Sequence, residues 1–472
     1  MGTSRRDFLR SAAAMSLGAG AGFAFDLHRF NAYAADVGGY KALVCVFLFG
    51  GMDGHDTVIP YDTPSYNQYA TIRSALFDQY AAREIGSTRT RDQLLPLNLV
   101  NASDFPGRQF ALPPELQPLH RLIDQGAGAI VSNVGPLVTP LTREEFRNES
   151  APRPPRLFSH NDQQSVWMAS QPEGASFGWG GRIADFAQAS AANPDATFTA
   201  ISAAGNTVFL SGEIVGQYQV GTNGPSEIKG VGNNSLYGSQ ALPGLLESHL
   251  RAEGQSLNNL LRRDFVNVVD TSIDANSVLR ESFENASPFA TVFPDSRLGR
   301  QLRVVAQIIA LRGQLGVGRQ VFFVSTGGFD THSNQAVSIP NLHANIAASM
   351  SAFYDATMEL GVQNDVTAFT ASDFGRALTV NRDGTDHGWG AHHFVVGGAV
   401  AGNRMYGQFP EAALGHSLDS GNGRLIPTTS VDQYAATLGG WFGLNASEQQ
   451  EALPGLVNFS NPDIGLFTGV SV

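Results

Sequence analysis

Ala42-Leu43-Val44-Cys45-Val46-Phe47-Leu48-Phe49, running directly into Gly50-Gly51-Met52-Asp53, is the stretch that decides the fold. Its apolar residues follow one another without polar interruption, many are β-branched or aromatic, and glycines close the run. That pattern reads as a strand buried on both faces, which belongs to a parallel sheet rather than a half-exposed antiparallel one. Cys45 is the only cysteine, so it reads as core and no intrachain disulfide can form.

The pattern recurs downstream. Residues 128–134 form a second apolar run, 320–325 lead into Gly327-Gly328-Phe329-Asp330, 366–370 into Ser372-Asp373-Phe374-Gly375, and 394–396 into Gly397-Gly398. Apolar residues at helical spacing fill 298–313 and 341–360. Strands alternating with helices predict an α/β fold, a doubly wound and mostly parallel sheet with helices on both faces. Residues 205–244 are dominated by Gly, Asn, Ser and Gln and read as a loop-rich surface excursion. No linker or repeat marks a boundary, so 36–472 read as one domain.

With 472 residues, 42% hydrophobic and 15% charged, the chain can bury a large core. A net charge of −12 without a basic stripe excludes nucleic acid as an expected partner. Ser4-Arg5-Arg6-Asp7-Phe8-Leu9 precedes a weakly apolar, Ala- and Gly-rich run over 11–25, the build of a twin-arginine export signal, and Ala32-Tyr33-Ala34 offers a small-x-small cleavage site. Residues 1–35 are therefore expected to be a signal peptide that engages the twin-arginine translocase, and the mature protein is expected to be periplasmic or extracellular. Nothing later supplies ~20 consecutive apolar residues, so no transmembrane anchor is expected.

In an open α/β sheet the ligand crevice lies beyond the carboxyl ends of the strands. Asp53, His55 and Asp56 follow the first strand, Asp330 and His332 another and Asp373 the next, while Asp386, His387, His392 and His393 precede the last. Carboxylate oxygens and imidazole nitrogens from these points suit one or two divalent ions such as Zn, Mn or Fe, and the candidate ligands are Asp53, Asp330, His332, Asp373, His387 and His392. Asp53 and Asp56 read equally as caps of a Gly-rich turn, and each histidine as a core residue satisfied by one hydrogen bond. Ser159 and His160 are the candidate catalytic pair, although Ser159-x-x-Asp162 has capping-box spacing as well. Arg376 and His393 are candidate substrate contacts, with Arg153, Arg156 and Arg182 as further guanidinium groups suited to phosphate or sulfate.

Gly50-Gly51-Met52-Asp53-Gly54, Ser159-His160-Asn161-Asp162-Gln163, Gly327-Gly328-Phe329-Asp330-Thr331-His332-Ser333, Ser372-Asp373-Phe374-Gly375-Arg376 and Asp386-His387-Gly388-Trp389-Gly390-Ala391-His392-His393 occur in one order along the chain. In that combination the sequence resembles the domain-of-unknown-function family numbered 1501, twin-arginine-exported proteins placed in the alkaline phosphatase and sulfatase superfamily. The resemblance implies an alkaline phosphatase-like fold with a metal-ligand crevice at the carboxyl edge. Members usually carry Glu where Asp373 stands, Asn where Asp56 stands and Phe where Asn161 stands. The imidazole that follows the Asp373 position in the better-known enzymes is replaced by Phe374, which leaves a two-ion centre incomplete. The sulfatase signature is absent, since Ser150-Ala151-Pro152-Arg153-Pro154 has Pro where Arg is required. The leading expectation is hydrolysis of a small-molecule or polymer phosphate or sulfate ester. The alternative is a catalytically degenerate envelope scaffold that binds a polymer or partner.

Overall fold

The computed structural model describes residues 38–83, 88–190, 192–193, 195–226, 230–231, 235–251, 259–285 and 287–468; the expected signal peptide lies outside them. The apolar run that begins at Ala42 forms as β1, Lys41–Leu48, and is buried along nearly its whole length. Its alternate side chains feed two separate cores. Ala42, Val44, Val46 and Leu48 join one; Leu43, Cys45 and Phe47 join the other. Two-sided burial of this kind is what an uninterrupted apolar run requires.

The other sheet strands are β2 (Gly128–Gly135), β3 (Ala200–Ser202), β4 (Tyr218–Gln219), β5 (Arg319–Thr326), β6 (Val366–Ser372), β7 (Ala391–Val396), β8 (Met405–Tyr406) and β9 (Thr429–Ser430). They form one nine-stranded sheet in the order β8-β2-β7-β6-β1-β5-β3-β4, with β9 beside β2. β1 pairs in parallel with β5, Cys45 opposite Phe323, and with β6, Cys45 opposite Phe369. Only β7 is reversed within this sheet, antiparallel to both β2 and β6. The architecture is the expected α/β one, a mainly parallel sheet with a helix-covered core on each face.

The helices used below are α1 (Thr63–Ile72), α2 (Ser74–Ala81), α3 (Gln117–Asp124), α4 (His160–Ala169), α5 (Trp179–Ala189), α6 (Leu260–Glu284), α7 (Arg297–Ala310), α8 (Gln335–Glu359) and α9 (Val431–Phe442). α3, α7 and α8 supply residues to the first core, α5 and α9 to the second. Helix α8 begins six residues before the expected 341, with Pro340 inside it. A proline leaves the carbonyl four residues earlier without its helical donor, and here the guanidinium of Arg83 donates to that oxygen, on Ala336. The described part of the loop-rich 205–244 segment is anchored on the second core. Phe209 is buried against Trp179 and Phe323, and Leu210 and Val215 are buried beside it, before the chain enters edge strand β4. Among the described residues no helix is long and apolar enough to cross a membrane.

Candidate functional site

Because β1, β5 and β6 run in parallel, the residues that follow them emerge at one edge of the sheet. The reversal of β7 puts its beginning at that same edge, so the turn ahead of it also arrives there. Gly50 has φ +116° and lies so close to the chain beyond β5 that a Cβ would stand 2.3 Å from the amide nitrogen of Asp330. Gly375 meets the carbonyl of Gly390 in the same way, at 2.0 Å. The first approach clamps the loops after β1 and β5 together, and the second clamps the loop after β6 to the turn ahead of β7.

Five side chains meet there, Asp330, Arg376, His332, His387 and His160. Asp330 lies 2.8 Å from the Arg376 guanidinium, 3.1 Å from Nε2 of His332 and 3.2 Å from Nε2 of His387. Its second oxygen is 3.5 Å from Nε2 of His160. His332 and His387 bring their Nε2 atoms within 2.8 Å of one another. The ring of Phe374 supports the imidazoles of His160 and His387, at 4.8 and 4.5 Å.

The hydrogen bonds behind the rings fix their protonation. Nδ1 of His387 lies 2.7 Å from the carbonyl of Phe158. A carbonyl only accepts, so Nδ1 carries the proton. Burial lowers the His387 pKa, with the charges of Arg376 and His160 adding to it, so the ring is neutral near pH 7 and Nε2 offers a lone pair to the cluster. Nδ1 of His160 donates to Asp373 at 2.6 Å, which turns its Nε2 toward Asp330. That bond to Asp373, helped by the charge of Asp330, raises the His160 pKa. For Asp330, partial burial pushes the pKa up, but the bond to Arg376 and its charge outweigh this, and the net shift is downward. An anionic Asp330 thus faces imidazole nitrogens, and only a proton or another cation makes that contact attractive.

Arg376 holds Asp330 rather than a ligand. It is buried, opposite His387 in the hairpin of strands Arg376–Val380 and Thr385–His387, and it donates also to the carbonyls of Gly50 and Thr385.

Other candidate residues lie elsewhere. Asp53 is fully buried, and its carboxylate accepts both terminal nitrogens of Arg73, at 2.6 and 3.0 Å, and Nε2 of Gln335 at 2.6 Å. It also caps the turn Gly54–Thr57, as the alternative reading had it. Asp56 is bound likewise by Arg89 at 2.6 Å. Asp373 stands behind His160 rather than among the facing donors. His392 and His393 do not reach the cluster, because both lie within β7 and neighbouring strand residues point to opposite faces. Nδ1 of His392 accepts the amide of Asn133, and its ring stacks on Phe409. His393 is enclosed by Trp167 and Tyr434. Ser159 is the N-cap residue of α4 but does not cap it; its hydroxyl donates to Asp162 at 2.9 Å. Arg182 and Arg153 bind the Ala452 carbonyl and Glu149.

Sequence reading missed Arg73, Gln164, Phe158 and Arg424. Phe158 has φ +73°, a strained value for a bulky residue, and its carbonyl thereby meets His387. Arg424 sits 5.2 Å over the Phe158 ring and donates to the main-chain oxygen of His387 at 2.7 Å. No local sequence pattern announces either contact.

Fold and site together define an α/β protein with a histidine–carboxylate cluster at the carboxyl edge of its sheet. The chain belongs to the family described as Protein of unknown function (DUF1501), whose model matches residues 40–453. No curated protein matches it. Among solved structures it is similar to Ps i-CgsB, with 9% identity over 90% of this chain and 77% of that one and a TM-score of 0.37. It is similar too to the soluble domain of lipooligosaccharide phosphoethanolamine transferase A from Neisseria meningitidis, with 10% identity over 89% and 94% of the two chains and a TM-score of 0.29.

Proposed function

We propose that the protein is an exported, metal-dependent hydrolase of phosphate or sulfate esters, with one divalent ion held by Asp330, His387 and His160. One observation carries this reading: ligand atoms of these three residues lie within 4.8 Å of one another. A tetrahedral ion with bonds of 2.0–2.2 Å spaces its donors by roughly 3.3–3.6 Å, and the contacts of 3.2 and 3.5 Å to Asp330 are close to that. His332, nearly half exposed, is the nearest further donor. The mixed oxygen and nitrogen set suits Zn, Mn or Fe. When bound, such an ion supplies Lewis-acid polarisation of an ester oxygen.

The chain's own groups do the rest. Arg376 orients Asp330, the Phe158 carbonyl orients His387, and Asp373 orients His160. Ser159 adjoins His160, and its hydroxyl already donates to Asp162. If Ser159 attacks the ester, Asp162 takes its proton, the bond to the alcohol oxygen breaks, the departing alcohol takes the proton up, and water then hydrolyses the seryl ester. One observation favours a second reading, an ion-binding envelope scaffold without turnover: Asp53, one of the expected ligands, is sequestered by Arg73 and Gln335. Elemental analysis of protein purified without added metal, followed by an ester-substrate screen, separates the readings. Metal with turnover supports the hydrolase, metal alone the scaffold. Export through the twin-arginine route belongs to the same proposal; replacing Arg5 and Arg6 with Lys should strand the precursor in the cytoplasm.

A further inference from the structure

Asp373 is completely buried, and among the described residues its one ion pair is with His160. Oδ2 accepts two hydrogen bonds, from Nδ1 of His160 at 2.6 Å and from Nε2 of Gln164 at 2.8 Å. Oδ1 has no hydrogen-bond partner among the described residues. The charge of Asp373 is therefore supported by two donors on a single oxygen. Both donors come from α4, where residues four apart stand one above the other on the same face. A carboxylate only accepts, so Gln164 must present its NH2 group to it.

This arrangement bears on the direction of the His160 ring. If Asp373 were held by His160 alone, its carboxyl group could turn about its last torsion and offer either oxygen to the imidazole. Nε2 of His160 would then lose its fixed aim at Asp330. With Gln164 gripping the same oxygen, the carboxylate plane is fixed, and so are the tautomer and tilt of the imidazole. Partners that orient a ligating histidine through its other nitrogen commonly change metal affinity by ~10–100-fold when removed.

We propose that Gln164 is a positioning residue of the cluster, acting through Asp373 to keep Nε2 of His160 directed at Asp330. This rests on the ion-binding reading above. Gln164→Met keeps the length of the side chain and removes the donor. In full-length mature protein, Zn2+ affinity measured on the folded variant by competition with a chromophoric chelator should fall ~10–100-fold. The metal-free unfolding temperature should fall as well, because the buried Asp373 carboxylate loses one of its two donors. The Nδ1–H resonance of His160, followed by NMR in metal-free protein with labelled histidine, should shift or broaden. Gln164→Ala gives the same readings should the methionine variant prove unstable. Unchanged Zn2+ affinity together with an unchanged His160 resonance overturns the proposal. If the wild-type protein binds no Zn2+, the ion reading fails on its own, and the metal-free resonance still decides the role of Gln164: no change in the variant overturns it.

Discussion

The imidazole of His160 bridges two carboxylates, with Nδ1 2.6 Å from Asp373 and Nε2 3.5 Å from Asp330. One carboxylate is buried and the other faces the crevice, so the ring couples a fixed internal charge to an accessible one. The hydrogen bond to Asp373, and then the charges of both carboxylates, favour the charged ring and raise its pKa. A bound cation would have to displace that proton.

Asp53 and Arg73 illustrate the opposite arrangement, a carboxylate with no access to the crevice. Burial by itself pushes the Asp53 pKa up, but the charge and hydrogen bonds of Arg73 outweigh it, and the net shift is downward. The pair's contribution is thus complete above the ordinary value of 3.8 and is lost as the pH falls below it. Asp53→Asn should destabilise the protein by about 3–5 kcal/mol at pH 7, the usual cost of leaving one member of a buried pair behind. Metal content of the folded fraction should not change. Chemical denaturation with elemental analysis checks both, and a metal-free but stable variant would show that Asp53 is a ligand after all.

His393 should make the fold acid-sensitive. Burial pushes its pKa down from 6.5 to about 3, so the folded state keeps it neutral while the unfolded chain takes up a proton below 6.5. Its contribution is full above 6.5 and is lost as the pH falls toward 3. Between pH 7 and 5 one such group accounts for about 2 kcal/mol. His393→Phe should reduce the stability loss over that interval by about this amount, measured by urea unfolding at the two pH values.

Much of the fold was legible because buried parallel strands announce themselves as continuous apolar runs. β1, β5 and β6 form within two residues of the expected limits. The start of α8 was hidden by Pro340, whose cost is met by Arg83 from far away in sequence. The site was legible as a set of loops, not as a set of ligands. Motif position predicted which loops meet, and Asp330, His332, His387 and His160 do meet. Which carboxylates remain accessible depends on Arg73 and Gln335, 20 and 282 residues from Asp53. His392 and His393 were drawn into the site because the last strand was expected at 394; it begins at Ala391, which makes both histidines strand residues.

Ser159→Ala tests the choice of nucleophile. Its hydroxyl donates to Asp162 and touches no candidate ligand among the described contacts. The variant should retain metal at the wild-type stoichiometry and lose turnover by several orders of magnitude, as deletions of a nucleophile do elsewhere. Full activity in the variant would transfer the attack to water.

The most direct measurement is Zn2+ titration calorimetry on metal-stripped mature protein at pH 7.5, run beside Asp330→Asn and His387→Ala. The account predicts one ion per chain for the wild type, raised thermal stability on binding, and loss of that site in both variants. Wild-type protein that binds no stoichiometric ion, or variants that bind as the wild type does, would contradict it.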